Sequence, residues 1–182
     1  MTRIIAGVAG GRRIAVPPKG TRPTSDRVRE AMFSSLDSRV DWSQVTALDL
    51  YAGSGALGLE ARSRGAREVI LVERSPAACE VINGNIAQLG LGGVRLLQMD
   101  VRSLVSRASV ACTLVLVDPP YDDPAEVVVS ELKSLREAGW IAEDAVVVVE
   151  RSVRDSTAPL PEGWFTSRKA YGETCLWYGQ AQ

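Results

Sequence analysis

Apolar residues along most of this chain form short continuous runs, and between the runs they recur at helical spacing. The runs predict strands at 45–50, 68–73, 94–99, 113–117 and 145–150. The spaced segments predict helices at about 56–64, 76–89 and 125–138. Nearly continuous apolar runs are typical of parallel strands that are covered on both faces. The repeated strand-then-helix order therefore predicts an α/β fold with a doubly wound sheet.

The first forty residues do not follow this pattern. Residues 3–6 and 12–16 are short β-like runs joined by glycines, which predicts a small hairpin. A helix should begin at residue 24 or 25, and we expect Arg27 and Arg29 to project away from its apolar face.

The chain also ends in a different pattern. Trp164 to Lys169 and Thr174 to Tyr178 flank a turn and predict a closing β-hairpin. We therefore divide the chain into a basic N-terminal extension, 1–40, and a main domain, 41–182.

Composition limits the class of protein. The chain has 182 residues, of which 46% are hydrophobic and 24% charged, as expected of one globular domain. No apolar run approaches the ~20 residues that a membrane span needs. The N-terminus lacks the apolar stretch of a secretory signal, so the expected compartment is the cytoplasm.

The chain contains no histidine, which excludes mechanisms that use an imidazole base or ligand. Its cysteines, Cys79, Cys112 and Cys175, are too far apart for metal-ligand spacing, and we expect buried thiols and no metal site. The chemistry must then use carboxylates, backbone groups, Tyr, Lys, Arg or a cofactor.

The net charge of −1 is unevenly distributed. Residues 1–40 contain eight cations and three anions, a net charge of +5, whereas the rest of the chain carries −6. A basic end on an acidic domain indicates a surface that binds a polyanion, although a solvated arm without a partner would show the same charge.

A glycine-rich loop follows the first long strand, at Asp49 to Gly58. Gly53 and Gly55 let the backbone turn sharply and approach a ligand, and a helix begins directly afterwards. Glu73 ends the next strand, where a carboxylate can accept hydrogen bonds from a ribose diol. The same spacing also satisfies the dinucleotide fingerprint, so this segment alone does not separate a dehydrogenase from a methyltransferase.

Asp100 ends the third strand and has two interpretations. Its carboxylate could accept from an adenine amino group while the Val101 amide donates to a ring nitrogen. It could equally be the N-cap of a helix over 101–107.

Asp118-Pro119-Pro120-Tyr121 directly follows the fourth strand and is the most specific motif in the chain. Two prolines fix the backbone and remove two N–H donors. The Asp118 carboxylate and the Pro119 carbonyl can then hold both hydrogens of an exocyclic amine on a nucleic-acid base, while Tyr121 stacks on an unpaired or flipped base. These groups predict amine methylation.

These motifs, in this order, resemble those of class I S-adenosylmethionine methyltransferases that act on amino nitrogens. The N-terminal segments Arg3 to Gly7, Gly11 to Arg13 and Arg22 to Phe33 narrow the resemblance to the RsmD family, which methylates guanine N2 in 16S ribosomal RNA. The resemblance implies a Rossmann-like, seven-stranded sheet with a reversed last strand. It also implies a substrate within a small ribosomal subunit.

The resemblance assigns roles to particular residues. It implies a cofactor site formed by Asp49, Ala52, Gly53, Ser54, Gly55, Glu73, Arg74, Asp100, Val101 and Asp118. It implies RNA contacts by Arg3, Arg12, Arg13, Arg22, Arg27 and Arg29, with the segment from Arg22 to Arg29 lying over the cofactor. It also implies catalytic roles for Asp118, Pro119 and Tyr121.

Three alternatives stay open. A DNA methyltransferase acting on adenine N6 or cytosine could use the same Asp-Pro-Pro-Tyr geometry. A dehydrogenase would match the glycine spacing but would leave Asp118 to Tyr121 without a role. A binding module could retain the fold without catalysis, although intact acids at 49, 73, 100 and 118 argue against it.

Overall fold

The computed structural model describes residues 1–18 and 25–182; Arg22 therefore lies outside the described residues. The strands are β1 (Thr2–Arg3), β2 (Arg13–Ile14), β3 (Thr46–Leu50), β4 (Glu68–Glu73), β5 (Val94–Gln98), β6 (Cys112–Val117), β7 (Ile141–Ser152), β8 (Phe165–Tyr171) and β9 (Thr174–Gln180). The helices are α1 (Asp26–Asp37), α2 (Ala56–Ser63), α3 (Pro76–Leu89) and α4 (Ala125–Glu137).

In the described part of the chain, seven strands form one sheet in the order β5-β4-β3-β6-β7-β9-β8. The first five of these pair in parallel, whereas β9 runs antiparallel to both of its neighbours. This arrangement confirms the predicted seven-stranded sheet with a reversed last strand. It also brings the carboxyl ends of β3, β4, β5 and β6 to one edge, where open α/β sheets bind ligands.

Both faces of the sheet are covered. Leu48 and Leu50 of β3 belong to the core beneath α4, whereas Ala47 belongs to the core beneath α1. Successive side chains of a strand point to opposite faces, so a strand buried on both sides must be apolar throughout. The continuous apolar runs in the sequence have this origin.

The N-terminal hairpin packs on α2 and α3. Ile4, Ala9 and Ile14 form a small core with Leu59 and Leu89. Its strands are two residues each, shorter than predicted, because the backbone between them forms hydrogen bonds with α2 instead.

Two side chains of α2 hold this segment. The buried Glu60 carboxylate accepts from the amides of Ile5, at 2.7 Å, and Ala6, at 3.0 Å. The Ser63 hydroxyl accepts from the Ala9 amide at 2.9 Å. Gly7 has φ +83° and lies so close that an added Cβ would stand 1.9 Å from the Ser63 carbonyl oxygen. A buried carboxylate therefore joins the extension to the main domain.

Most predicted elements are confirmed, and β4 and α3 agree in both bounds. The helix considered over 101–107 is a 3-10 helix, Val101–Ser106, with Asp100 as its N-cap. All three cysteines are free and buried, as expected. Among the described residues, no helix has the length and apolarity to cross a membrane, and no three metal-binding side chains cluster.

Candidate cofactor and substrate site

One cavity of about 540 Å³ lies at the carboxyl edge of the sheet and joins the two motifs. Its walls include the glycine-rich loop after β3, the end of β4, the turn after β5 and the Asp118 to Tyr121 segment after β6. The predicted site residues that line it are Asp49, Ala52, Gly53, Ser54, Glu73, Arg74, Asp100, Val101, Asp118, Pro119, Tyr121 and also Arg29. Gly55 begins α2 behind this wall, as its N-cap at φ +79°.

Asp49 is a buried carboxylate at the end of β3. Its Oδ2 accepts from the Gly58 amide at 2.8 Å, whereas its Oδ1 has no hydrogen-bond partner in residues 1–18 and 25–182. Burial raises the pKa of Asp49 to about 7. The hydrogen bond from the Gly58 amide lowers this pKa in part, and the negative charge of Glu73 raises it slightly. Asp49 thus offers a cationic ligand group one unused acceptor atom.

Gly58 has a packing role. An added Cβ would stand 2.2 Å from a Leu71 methyl carbon and 3.1 Å from Asp49 Oδ2. Only glycine lets α2 approach β4 this closely, so the third glycine of the fingerprint fixes the helix on the sheet.

Glu73, half-buried at the end of β4, fixes the loop. Its Oε2 accepts from the Gly53 amide at 2.9 Å, and its Oε1 accepts from the Ser75 amide at 2.8 Å. Each carboxylate oxygen can accept more than one hydrogen bond, so both remain able to receive a diol.

Asp100 shows both features considered in the sequence. Its Oδ1 accepts from the Arg102 amide at 2.9 Å and caps the 3-10 helix. Its Oδ2 lies 3.7 Å from Arg74 Nη1 at the cavity wall. Because the cap uses only one oxygen, the second remains able to accept a hydrogen bond from a ligand.

The Asp118 to Tyr121 segment closes the other end of the cavity. Asp118 is half-buried, Pro119 is buried, and Tyr121 is 43% exposed. An aromatic ring exposed at the mouth of a cavity is suited to stacking on a planar ligand.

Tyr51 is a site residue that the sequence motifs did not single out. It has φ +61°, a left-handed conformation that is rare for a residue other than glycine. Its hydroxyl donates to the buried Glu131 on α4, and Glu131 accepts from Arg102 at 3.1 Å. This chain of contacts ties the loop after β3 to α4 and to the turn after β5. The place of Tyr51 inside the glycine-rich loop is the feature of the sequence that could have identified it as a site residue.

The prediction that Arg29 projects outward is wrong. Arg29 is fully buried, and its Nη2 donates to Thr2 Oγ1 at 3.1 Å, to Asp26 Oδ1 at 3.0 Å and to the Arg3 carbonyl. Its Nε and Nη1 have no partner among the described residues, and the side chain lines the cavity. Arg29 therefore belongs to the wall of the cavity rather than to the exposed surface of α1.

Arg3, Arg12, Arg13 and Arg27 lie on the surface, and two of them have partners among the described residues. Arg3, Arg13 and Arg27 are not buried, and Arg3 pairs with Asp26 at 3.3 Å. Arg12 is exposed, but its guanidinium donates to the Leu89 carbonyl at 2.8 Å and to the Gln88 carbonyl at the end of α3. Arg12 thus has a structural partner that charge counting did not reveal.

Known proteins resemble this chain over nearly its whole length. The family model described as Conserved hypothetical protein 95 matches residues 2–180. The Ribosomal RNA small subunit methyltransferase D of Escherichia coli K12 is 36% identical over 92% of this chain and 83% of its own length. The protein of the same name from Haemophilus influenzae is 33% identical over 89% and 84%.

Solved structures agree. The yhhF protein of Escherichia coli superposes with a TM-score of 0.86 at 34% identity, covering 99% of this chain and 97% of its own. An RNA methyltransferase of Salinibacter ruber, solved with S-adenosyl-L-homocysteine, has a TM-score of 0.65 at 18% identity over 87% and 92%, which supports the fold alone. The cavity joins both motifs, the family model matches residues 2–180, and a relative is 36% identical over 92% of the chain. This chain therefore belongs to the RsmD family of methyltransferases.

Proposed function

We propose that this chain transfers a methyl group from S-adenosylmethionine to the exocyclic N2 amine of a guanine in 16S rRNA of the small ribosomal subunit. The observation that carries the proposal is the single cavity shared by the glycine-rich loop and Asp118 to Tyr121. A relative named for methylation of small-subunit rRNA supports the substrate class. Such a substrate would place the protein in the cytoplasm.

The polar atoms of the cavity fit this cofactor. Its amino-acid end carries an ammonium and a carboxylate, and its nucleoside end carries a ribose diol and an adenine. The unused Asp49 Oδ1 can accept from the ammonium, and the unused Nε and Nη1 of Arg29 can donate to the carboxylate. Glu73 can accept from the diol, and the second oxygen of Asp100 can accept from the adenine amine.

Burial explains why Arg29 suits this role. Burial lowers the pKa of the Arg29 guanidinium below its ordinary value, and the negative charge of the neighbouring Asp26 opposes this effect. A buried cation with unpaired N–H groups is costly, so a carboxylate placed against it would be strongly favoured.

At the other end of the cavity, the chain would orient and stabilise the amine. The Asp118 carboxylate and the Pro119 carbonyl each accept one hydrogen of the amino group, which aims the nitrogen lone pair at the methyl carbon. The cofactor supplies that methyl on a sulfonium, so a C–N bond forms as the S–C bond breaks. Asp118 stabilises the positive charge that develops on nitrogen, and the surplus proton then leaves toward this carboxylate and solvent.

The test uses labelled cofactor with three substrates: small subunits lacking this methylation, the RNA extracted from them, and DNA. We expect label in N2-methylguanine of the small-subunit RNA. Methylated adenine or cytosine in DNA would instead assign the chain to the DNA methyltransferase alternative. Calorimetry with S-adenosylmethionine and with NAD separates the cofactors, and saturable binding of NAD alone would overturn the proposal.

A further inference from the structure

A second concavity, of about 570 Å³, lies between α1 and the C-terminal hairpin of β8 and β9. It shares no lining residue with the cofactor cavity. We name it the α1–β8 groove, and its lining residues are Ala31, Ser34, Ser35, Arg39, Ser167, Arg168, Lys169, Tyr171 and Tyr178.

The charged residues that line the groove are all cations. They are Arg39, Arg168 and Lys169, and no carboxylate of residues 1–18 and 25–182 is among the lining residues. Arg39 lies over the Tyr178 ring, at 4.6 Å, and Lys169 lies over the Tyr171 ring, at 5.5 Å. Aromatic rings hold these two cations in place without neutralising them. The groove is therefore a positive site that reaches into the part of the chain whose net charge is negative.

The groove also contains a buried phenol hydroxyl. Tyr178 is 2% exposed, and its hydroxyl faces Ser35, although the two side chains form no hydrogen bond of ordinary geometry. The hydroxyls of Ser34, Ser35 and Ser167 line the same groove. A buried hydroxyl without a well-formed hydrogen bond costs stability, and an anionic oxygen would satisfy it.

The register of the sheet places one end of the groove at the catalytic edge. Tyr171 pairs with Thr174, and Thr174 pairs with Ser152 at the carboxyl end of β7. Asp118 follows β6 at the same edge, and three interstrand spacings separate β6 from β8, about 14 Å. A strand of nucleic acid that delivers a base to Asp118 can therefore continue along α1.

We propose that the α1–β8 groove binds the sugar–phosphate backbone of the RNA strand that carries the target guanine. Arg39 and Lys169 pair with phosphates, and the Tyr178 hydroxyl donates to a phosphate oxygen. This inference rests on the proposed function and adds a substrate contact from the C-terminal hairpin, remote from the hairpin of the basic N-terminal extension.

The test is the salt dependence of binding to RNA extracted from unmethylated small subunits. For the double variant Arg39→Ala/Lys169→Ala, we expect weaker binding and a salt slope smaller by about 0.7 for each phosphate that the variant no longer pairs. The matched control is Arg95→Ala/Lys133→Ala, which removes two exposed cations from β5, at the other end of the sheet, and from α4, on its other face. The control should keep the wild-type slope.

A second variant tests the donor without changing charge. Tyr178→Phe should weaken RNA binding by about 2- to 10-fold, the value of one hydrogen bond, while the salt slope stays unchanged. Affinity for S-adenosylmethionine, measured by calorimetry, should match the wild type in every variant and reports that each is folded.

The outcomes separate this inference from the proposed function. Suppose that the wild-type protein forms N2-methylguanine but the Arg39→Ala/Lys169→Ala variant keeps its RNA affinity and salt slope. This result refutes RNA binding by the groove and leaves the proposed function intact. If that variant binds extracted RNA normally and weakens only on assembled subunits, the groove contacts a ribosomal protein and the RNA assignment is wrong. A wild-type protein that neither binds RNA nor methylates guanine overturns the proposed function itself.

Discussion

At the scale of single residues, two of the carboxylates that line the cavity differ in their surroundings. Burial opposes the ionisation of one, and the other lies where the amine would be methylated. Asp49 is buried and has one oxygen without a partner among the described residues, whereas Asp118 is half-buried at the cavity wall. The first suits recognition of a cation, because an ammonium would relieve the cost of burying the charge. The second is close enough to solvent to pass on a proton.

Asp118 should carry most of the rate advantage that the protein supplies at the amine. We expect Asp118→Ala to reduce turnover by ~10²-fold or more, because the transition state then lacks an oriented charged acceptor. Asp118→Asn should be nearly as poor, since an amide offers a competing donor and no charge. Single-turnover methylation of small subunits measures this.

The tyrosine of the same motif provides the matched comparison. Tyr121→Phe keeps the ring and should retain most activity, whereas Tyr121→Ala removes stacking of about 1–3 kcal/mol. Cofactor affinity should change little in all of these variants. Full turnover by Asp118→Ala would refute the mechanism.

The raised pKa of Asp49 predicts a pH dependence with a definite sign. The folded pKa of about 7 lies above the ordinary value of 3.8, so the folded state binds more protons between these limits. The cofactor-free protein should therefore become less stable as pH rises from about 4 to about 7, by a contribution that Asp49→Asn removes. Urea denaturation across this pH range measures the effect.

Ligand binding should depend on pH in the opposite sense. Affinity for S-adenosylmethionine should increase from about pH 6 to about pH 7.5, because the ionised Asp49 binds the ammonium. Calorimetry across this range tests the prediction, with Asp49→Asn as the variant without the dependence. An affinity of the native protein that stays flat would show that Asp49 does not meet the ammonium.

At the scale of elements, the N-terminal extension is joined to α2 by a buried carboxylate. Glu60→Ala should lower the free energy of unfolding by about 2–4 kcal/mol, because the amides of Ile5 and Ala6 are then without their acceptor. Urea denaturation measures the change, and hydrogen exchange should show these two amides unprotected.

The control for this prediction is Glu80→Ala, an exposed carboxylate on α3. It should change stability by less than about 0.5 kcal/mol. If Glu60→Ala instead unfolds at the urea midpoint of the native protein, the contact between the extension and α2 contributes nothing to stability.

The elements also differ in how directly the sequence encodes them. Strands such as β4 are buried on both faces, so their apolar residues are continuous and their bounds can be read directly. β1 and β2 are two residues long because the intervening backbone bonds to α2, and no local pattern encodes that choice. In α1, position 29 falls between the buried Val28 and Met32, and this helical spacing predicts a buried side chain. The charge of Arg29 instead predicts an exposed one, so the sequence gives conflicting indications.

At the scale of the whole molecule, the net charge divides the chain into a basic extension and an acidic remainder. We expect the triple variant Arg3→Ala/Arg13→Ala/Arg27→Ala to weaken RNA binding and to lower its salt slope by about 0.7 for each phosphate left unpaired. Arg12 is left intact because it binds the end of α3. The pair of Arg3 with Asp26 is exposed and contributes little to stability.

Removal of exposed arginines elsewhere is the control for this charge argument. Arg95→Ala/Arg107→Ala should keep the native slope, since both positions are exposed and lie outside the extension. A triple variant with the native slope would make the extension a solvated surface without a nucleic-acid role.

The sequence by itself determined the order of elements, the class of sheet and the positions of both motifs. These depend on local chemistry: apolar runs, glycines that turn, prolines that fix the backbone. The predictions for Glu73 and Asp118 followed from their places at strand ends, because parallel strands end at one edge, whereas the role of Asp49 was implied by the family resemblance.

Only the tertiary structure decided where the side chains of Arg29, Tyr51 and Tyr178 lie. Each is a polar residue whose burial depends on partners far away in the chain: the Arg3 carbonyl, Glu131 on α4, and the groove between α1 and β8. Burial of a polar group is tolerated only where distant atoms satisfy it, or where a ligand would. Sequence spacing does not encode such distances, so these roles emerge only when the chain is folded.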